Sequence, residues 1–541
     1  MSDSLDSFAR VSPISPASHS GVVVAALDMG SNSFHLVAAR GFGTSHFEVL
    51  LKEKVMMRLG DEVAATRRIS PETRERILEV VGTMATLARG VGATELVALA
   101  TAAFRDARNA GQIVDAIEEV HGIKVSVISG RREAELIWGA VSRAVDFGGQ
   151  LALSADLGGG SMEVSVGNQD ALLDTESHPV GVGRLKARFA SQKDSSGVDL
   201  KALRTFLGSE LNERLKRLRH EFSPALMVLS SGSFLNIARM AMIRAEGAAW
   251  AEASLNQVSV PLEALAAVNT DLMRLDSRSR AKLPGIDDRR LDLLPGGAAV
   301  LDVLLTQVRP SQVLVSEWAL REGIILRELA QRSPVEFSGD DRSVKEASIV
   351  GLASRYGWNE GHARQVASLA LAVFDQTRPL HHMGAAEREM LHLASLVHDI
   401  GEYISVEGHD RHGAYLLENS RLPGFDPEER NQLVSIVRYH RRGTPKADYA
   451  PFAALSKEAA AKATKLAAIL RLADALDRSH TRLVDGIEVR IQRTQVLIFV
   501  DAHDNVELEE YGLRRKRQLF EDVFGRSVHL IQNGQELSRH A

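Results

Sequence analysis

The sequence predicts an α/β core that holds one fold twice, followed by an all-α region and a small α+β closing segment. Three observations carry this prediction. A strand, an aspartate, a glycine turn and a second strand occur twice: Asp28-Met29-Gly30-Ser31-Asn32-Ser33-Phe34-His35 and Asp156-Leu157-Gly158-Gly159-Gly160-Ser161-Met162-Glu163 each lie between apolar runs. Their aspartates are a domain's length apart, which suits two copies facing each other across a cleft. Strands and helices alternate around both stretches, the pattern of α/β domains. Beyond about residue 341 the spacing becomes helical and histidine-rich until about residue 482, and strand-like runs return after it.

Taken in order, residues 1–20 are rich in Ser and Pro and are expected to be a disordered tail. Val22-Val23-Val24-Ala25-Ala26-Leu27 and Leu36-Val37-Ala38-Ala39 read as buried strands. Ser70-Pro71-Glu72 opens a helix, with serine as N-cap and proline at the first helical position. Glu95-Leu96-Val97-Ala98-Leu99-Ala100 is the next strand and runs into Thr101-Ala102-Ala103-Phe104-Arg105. Residues 109–120 read as helix and 124–129 as strand, and Gly130-Arg131-Arg132-Glu133-Ala134-Glu135 starts another helix. In the second copy, Ala225-Leu226-Met227-Val228-Leu229 is a strand ending in Ser230-Ser231-Gly232-Ser233-Phe234, where a helix begins. Leu294-Pro295-Gly296-Gly297 leads into a helix, Gln312-Val313-Leu314-Val315-Ser316 is a strand, and Leu320-Arg321-Glu322-Gly323 starts the last helix. Polar, turn-forming residues after Arg332 read as a linker. The expected domains are therefore 21–147, 148–335, 341–483 and 484–541.

Composition narrows the function classes. The 541 residues are 45% hydrophobic and 25% charged, as in ordinary globular proteins. There is no cysteine, which excludes disulfides and thiolate chemistry and suits a reducing compartment. No apolar run reaches about 18 residues and no basic-then-apolar leader is present, so neither a membrane partner nor a signal peptide is expected and a cytoplasmic location is. A net charge of −5 argues against a nucleic-acid-coating protein and does not exclude a polyanion held by a local basic lining.

Glycine turns flanked by acids point to phosphate and metal. Without Cβ atoms a phosphoryl group can approach backbone N–H donors, and tight turns are allowed. A carboxylate on either side can carry a divalent cation. An ordinary hairpin has the same composition, and it is the repeat that favours a clamp.

These stretches, with Ala100-Thr101-Ala102-Ala103-Phe104-Arg105, Ile128-Ser129-Gly130-Arg131-Arg132-Glu133-Ala134, Ser231-Gly232-Ser233, Leu294-Pro295-Gly296-Gly297 and Leu320-Arg321-Glu322-Gly323, resemble in content and order the Ppx/GppA family of exopolyphosphatases and guanosine pentaphosphate phosphohydrolases. The resemblance spans roughly residues 22–330. It implies duplicated ribonuclease-H-like domains, of the kind found in actin, sugar kinases and chaperone ATPases. It further implies Glu133 as the catalytic acid that positions or deprotonates water, Asp156 and Glu163 as carboxylates linked to Mg²⁺, and phosphate loops at Asn32, Ser33 and at Gly158, Gly159, Gly160, Ser161. Arg105 matches an arginine that reaches the phosphates. One departure is Arg132 before Glu133, where the family often has a second acid.

Two basic features, Arg184 and the cluster Arg214-Leu215-Lys216-Arg217-Leu218-Arg219, are candidates for a polyphosphate track, although a charge run is usually the solvated face of a helix. In the helical region His362, His398-Asp399, His412, His440 and Asp474 resemble the HD superfamily of metal-dependent phosphohydrolases. That likeness implies a second divalent-metal site on His362, His398, Asp399 and Asp474, against a domain that keeps the residues for structure alone. The expected activity is Mg²⁺-dependent release of terminal phosphate from inorganic polyphosphate, with pppGpp as a second or alternative substrate, by a homodimer. A nucleotide-binding regulator of ppGpp-like alarmones without turnover, and more weakly a kinase, are the rival readings.

Overall fold

The structure is a computed structural model that describes residues 21–42, 46–191, 197–332, 343–532 and 535–536. The tail expected over 1–20 and the linker expected after Arg332 lie outside the described residues.

The first sheet is built from β1 (Val23–Met29), β2 (Ser33–Phe42), β3 (His46–Met56), β4 (Glu95–Ala100) and β5 (Val125–Val127), in the order β3-β2-β1-β4-β5. Strands β1, β2 and β3 pair antiparallel, whereas β4 runs parallel to β1 and β5 parallel to β4. The second is built from β6 (Ala152–Leu157), β7 (Met162–Gly167), β8 (Leu172–His178), β9 (Leu226–Ser230) and β10 (Gln312–Val315), in the order β10-β9-β6-β7-β8. Read from its other edge, it repeats the first sheet strand for strand and direction for direction. The register repeats as well, since Asp28 stands opposite His35 and Asp156 opposite Glu163.

Central strands β1, β6, β7 and β9 are buried nearly throughout because helices cover both faces of each sheet. Two of those helices change partners. Helix Gly130–Ala144 follows the last strand of the first sheet and packs on β7 and β8, while helix Leu320–Arg332 follows the last strand of the second and packs on β1 and β2. They cross at Gly323, where any Cβ would collide with the Leu136 carbonyl. Trp138, Phe147, Leu226, Leu314, Trp318 and Ile324 join Val24 and Ala26 there in one apolar cluster, so the copies share a core.

Local signals explain the starts of these helices. Ser70 accepts the Thr73 N–H at 3.2 Å with Pro71 next to it, as the sequence predicts. The strand expected over 124–129 shrinks to Val125–Val127 because Ser129 leaves it to accept the Arg132 N–H at 3.1 Å and cap the Glu133 helix.

The all-α region packs helices Val344–Arg355, Glu360–Gln376, Ala385–Val397, His409–Glu418, Pro427–Tyr439 and Lys457–Ala475 around one core. The closing segment adds β11 (Val484–Ile491), β12 (Gln495–Ala502), β13 (Ser527–Gln532) and β14 (Gln535–Glu536). Val484, Val496, Ile498, Phe520 and Val528 belong to the same apolar cluster as the helices, so the division at 483/484 separates two kinds of element within a single core. The region is tied to the α/β part by an Arg355–Glu48 ion pair and by the Gly424 N–H donating to Ala144 O at 3.1 Å. Among the described residues no helix is long and apolar enough to cross a membrane.

Candidate active site

The two glycine turns meet tip to tip. A Cβ on Gly159 would stand 3.4 Å from Asn32 Cβ, and one on Gly160 would stand 2.7 Å from Ser31 Oγ. Each turn is closed by the same bond, Gly30 N–H to Ser33 O at 3.2 Å and Gly158 N–H to Ser161 O at 3.0 Å. Each also gives its carbonyls to the chain that follows. Met57 and Arg58 N–H donate to Asn32 O and Gly60 N–H to Ser31 O, while Val182 N–H donates to Gly158 O and Gly183 N–H to Gly159 O. With the carbonyls so engaged, the amide edge of each tip is the side available to an anion.

Five carboxylates gather around the tips: Glu133, Asp156, Glu163 and Glu322 are buried and Asp28 is half-buried. Burial, reinforced by the charges of Glu133 and Asp156, pushes Asp28 up to about 7 against the pull of Arg321. Burial likewise lifts Asp156 to about 6, although Ser230 Oγ donates to its Oδ2 at 2.6 Å. Glu163 is raised well above the usual carboxylate range by burial and by Glu133 and Asp156, while Ser177 Oγ donates to its Oε1 at 2.8 Å. Such a set ionises readily only beside a cation. No three of these acids bring their oxygens within single-ion reach among the described residues. They therefore fit an ion that keeps water and takes oxygens from a phosphate, as Mg²⁺ does, better than a closed protein cage.

Glu133 lies one turn into its helix. Burial raises its pKa, and Arg105 opposes that shift by donating to Glu133 Oε2 at 2.7 Å. The same guanidinium donates to Ile128 O at 3.0 Å and comes within 3.5 Å of Ser161 Oγ, so it reaches from Glu133 to the second tip. In the first hairpin Arg321 Nη1 donates to His35 Nδ1 at 3.1 Å, which leaves Nε2–H to donate to Ser33 Oγ at 2.7 Å. Burial, together with Arg321 and Lys54, lowers His35 to about 3 and keeps it neutral. Ser33 then has its own O–H free for an oxyanion.

The predicted cleft residues Asn32, Ser33, Arg105, Glu133, Asp156, Gly158, Gly159, Gly160, Ser161 and Glu163 thus come together. The basic track does not. Arg184 donates to Gly160 O at 2.9 Å and pairs with Asp106, which clamps the second tip to the first copy. Arg217 pairs with Asp174 at 2.6 Å and Glu176 at 2.8 Å, Arg214 with Glu176 at 3.5 Å and Lys216 with Glu213 at 2.8 Å, so acids on β8 and on the helix itself neutralise most of the cluster. Leu215 and Leu218 are buried, which makes the run the outer face of an amphipathic helix. Arg132 pairs with Glu135 at 2.8 Å on a half-exposed surface. Sequence reasoning missed Asp28, Arg321 and Glu322 as site residues. Asp28 could have been found from its place in the repeat, and the others only from the crossing of their helix onto the first sheet.

In the all-α region His362, His398 and Asp399 converge, with His362 Nε2 at 3.5 Å and His398 Nε2 at 3.4 Å from Asp399 Oδ2. Asp474 Oδ1 stands 4.0 Å from His398 Nε2 while its other oxygen pairs with Lys516. His412 is outside the convergent groups.

The family model described as "Ppx/GppA phosphatase family" matches residues 37–332, more than half of the chain, and that of "Ppx/GppA phosphatase, domain III" matches 344–517. Exopolyphosphatase 1 of Mycobacterium bovis is 28% identical over 330 residues, which are 61% of this chain and 93% of that protein. Exopolyphosphatase 1 of Mycobacterium leprae is 28% identical over 304 residues, 56% of this chain and 88% of that protein. In fold, the solved exopolyphosphatase of Cytophaga hutchinsonii is similar with a TM-score of 0.51 at 24% identity, covering 57% of this chain and 99% of that one. The chain, with its twice-repeated sheet and facing hairpins, belongs to the Ppx/GppA phosphatase family.

Proposed function

We propose that this protein is an exopolyphosphatase that releases terminal orthophosphate from inorganic polyphosphate, with the 5′-γ-phosphate of pppGpp as a second substrate. The observation that carries the reading is the buried Glu133 bonded to Arg105 beside two facing glycine tips. The tips' amides and the Ser33 hydroxyl hold the terminal phosphoryl group, and Arg105 adds charge on the same side. Glu133, whose pKa burial raises against the pull of Arg105, takes a proton from the attacking water. The water oxygen bonds to the terminal phosphorus, the bridging P–O bond breaks, and the shortened chain keeps the bridging oxygen. Asp156 and Glu163 would hold Mg²⁺, which supplies neutralisation of phosphate charge when bound. We further propose that the enzyme is cytoplasmic, the reducing compartment that a cysteine-free chain suits, and that a homodimer is the working unit.

Phosphate release from long polyphosphate and from pppGpp is the test. Glu133→Gln is expected to lower the rate about 10²–10⁴-fold while polyphosphate still binds. An undiminished rate would remove Glu133 from the mechanism, and binding of ppGpp by wild type with no release from either substrate would favour a regulator instead.

A further inference from the structure

The antiparallel register of β1, β2 and β3 sets a row of side chains across three strands. Asp28 stands opposite His35 and His35 opposite Lys54, so the three share one face of the sheet. Lys52 lies two residues back along β3, opposite Val37, and strand alternation returns it to the same face about 7 Å further from the tip. Arg321 enters this face from the crossing helix and donates to His35. Arg421 comes up to Lys52 from the all-α region, on the segment between helices His409–Glu418 and Pro427–Tyr439. Leu422 and Phe425 beside it are buried, and the Gly424 N–H is bonded to Ala144 O, so the segment that carries this guanidinium is fixed to the α/β part.

Unlike the Arg214–Arg219 run, these cations are crowded and not neutralised. Among the described residues Lys52, Lys54, Arg321 and Arg421 have no carboxylate within ion-pair distance. Arg421 and Arg321 repel Lys52, and Arg290, Arg289 and Arg321 repel Lys54. The acids that act on the two lysines are committed elsewhere. Glu317 accepts from the Leu255 N–H at 2.9 Å and the Ser254 hydroxyl at 3.1 Å, and Glu322 from the Ala319 N–H at 3.1 Å. Asp287 pairs with Arg289 at 3.0 Å and with Arg290 at 3.3 Å. Like charges gathered without counterions raise one another's energy, and an anion laid among them relieves it. Lys52, Lys54 and Arg421 are exposed, so such an anion can reach them.

We infer that Lys54, Lys52 and Arg421 form a path for the distal phosphates of a long polyphosphate, and that Arg421 is the residue through which the all-α region selects long chains. The inference rests on the reading of the cleft as a polyphosphate site. Ser33, at the first tip, stands opposite Met56, and Lys52 is four residues from Met56, about 13 Å along β3. With its terminal phosphoryl group at the tips, a chain of three phosphates ends short of Arg421, whereas a long chain continues past it. Each phosphate that meets a cation releases a counterion, so the gain grows with the number of contacts and shrinks as salt rises.

The test compares steady-state phosphate release from long-chain polyphosphate and from tripolyphosphate by the full chain. Arg421→Ala is expected to raise the ratio of the long-chain KM to the tripolyphosphate KM about 10-fold, the loss of one contact to a charged group. The slope of log KM for the long chain against log salt should fall by about 0.7, the share of one phosphate contact, and Arg421→Lys should restore it. Lys52→Ala should move the ratio in the same direction. Arg217→Ala, in the run that acids neutralise, should leave the ratio and the salt slope as they are. An equal rise in both KM values, or a ratio and salt slope untouched by Arg421→Ala, would overturn the path. No release from either substrate by wild type would instead overturn the reading of the cleft on which the path rests.

Discussion

The two hairpins share strand order, register and closing bond, and yet they carry different side chains opposite their aspartates. In the second, Asp156 faces Glu163, and each is steadied by a serine hydroxyl. In the first, Asp28 faces His35, a neutral ring held by Arg321 and near Lys52 and Lys54. Beside Asp156 the neighbouring strand offers Ser230, and beside Asp28 it offers Leu99. In the proposed mechanism one copy of the turn is the acid side that would hold a cation, and the other a side that meets the anion directly. A duplicated scaffold supplies two equivalent amide edges, and a few side chains at equivalent register positions set what each edge binds.

Exchanging single groups would break this division of labour. The largest effect is expected for Glu163→Gln, which should raise the Mg²⁺ needed for half-maximal phosphate release by roughly 10–100-fold. The equivalent change in the first hairpin, His35→Gln, should leave that requirement in place and raise KM for polyphosphate. Equal Mg²⁺ shifts in both variants would show that the hairpins are not specialised.

A next, smaller effect concerns stability without metal. The folded pKa of Asp28, about 7, lies above its ordinary 3.8. The stability this carboxyl contributes is therefore fully present below about pH 4 and is lost as pH rises through 7, at no more than about 1.4 kcal/mol per pH unit in between. In EDTA, Asp28→Asn should melt higher than wild type at pH 8 and alike at pH 4. A constant difference across that range would place the burden on another acid. Ser230→Ala should be mildest, costing about 1–2 kcal/mol of stability with a modest rise in Mg²⁺ requirement, because Asp156 loses one donor. Leu99→Ala, at the equivalent position, should change stability with no effect on the Mg²⁺ requirement.

Much of the cleft is legible in the sequence because its parts are local. A strand, an aspartate and glycines in a row encode a hairpin whose tip lacks side chains, and Ser129 caps the helix that carries Glu133. Arg184 and the Arg214–Arg219 run mislead because a charge in sequence does not name its partner, and here Asp106, Asp174 and Glu176 arrive from distant segments. Arg321 and Glu322 belong to a motif that assigns them no role by itself. Their place beside His35 and Asp28 depends on a helix crossing from one copy to the other, which no local pattern states.

The sequence by itself determined the duplication, the positions of both turns and the capped helix that presents Glu133, since each follows from the backbone preferences of neighbouring residues. Tertiary structure alone decided which charges meet. It brought five carboxylates into one cleft and turned four imidazole edges onto Asp399, because burial and long-range contacts, absent from any short stretch, set the electrostatic partner of each group.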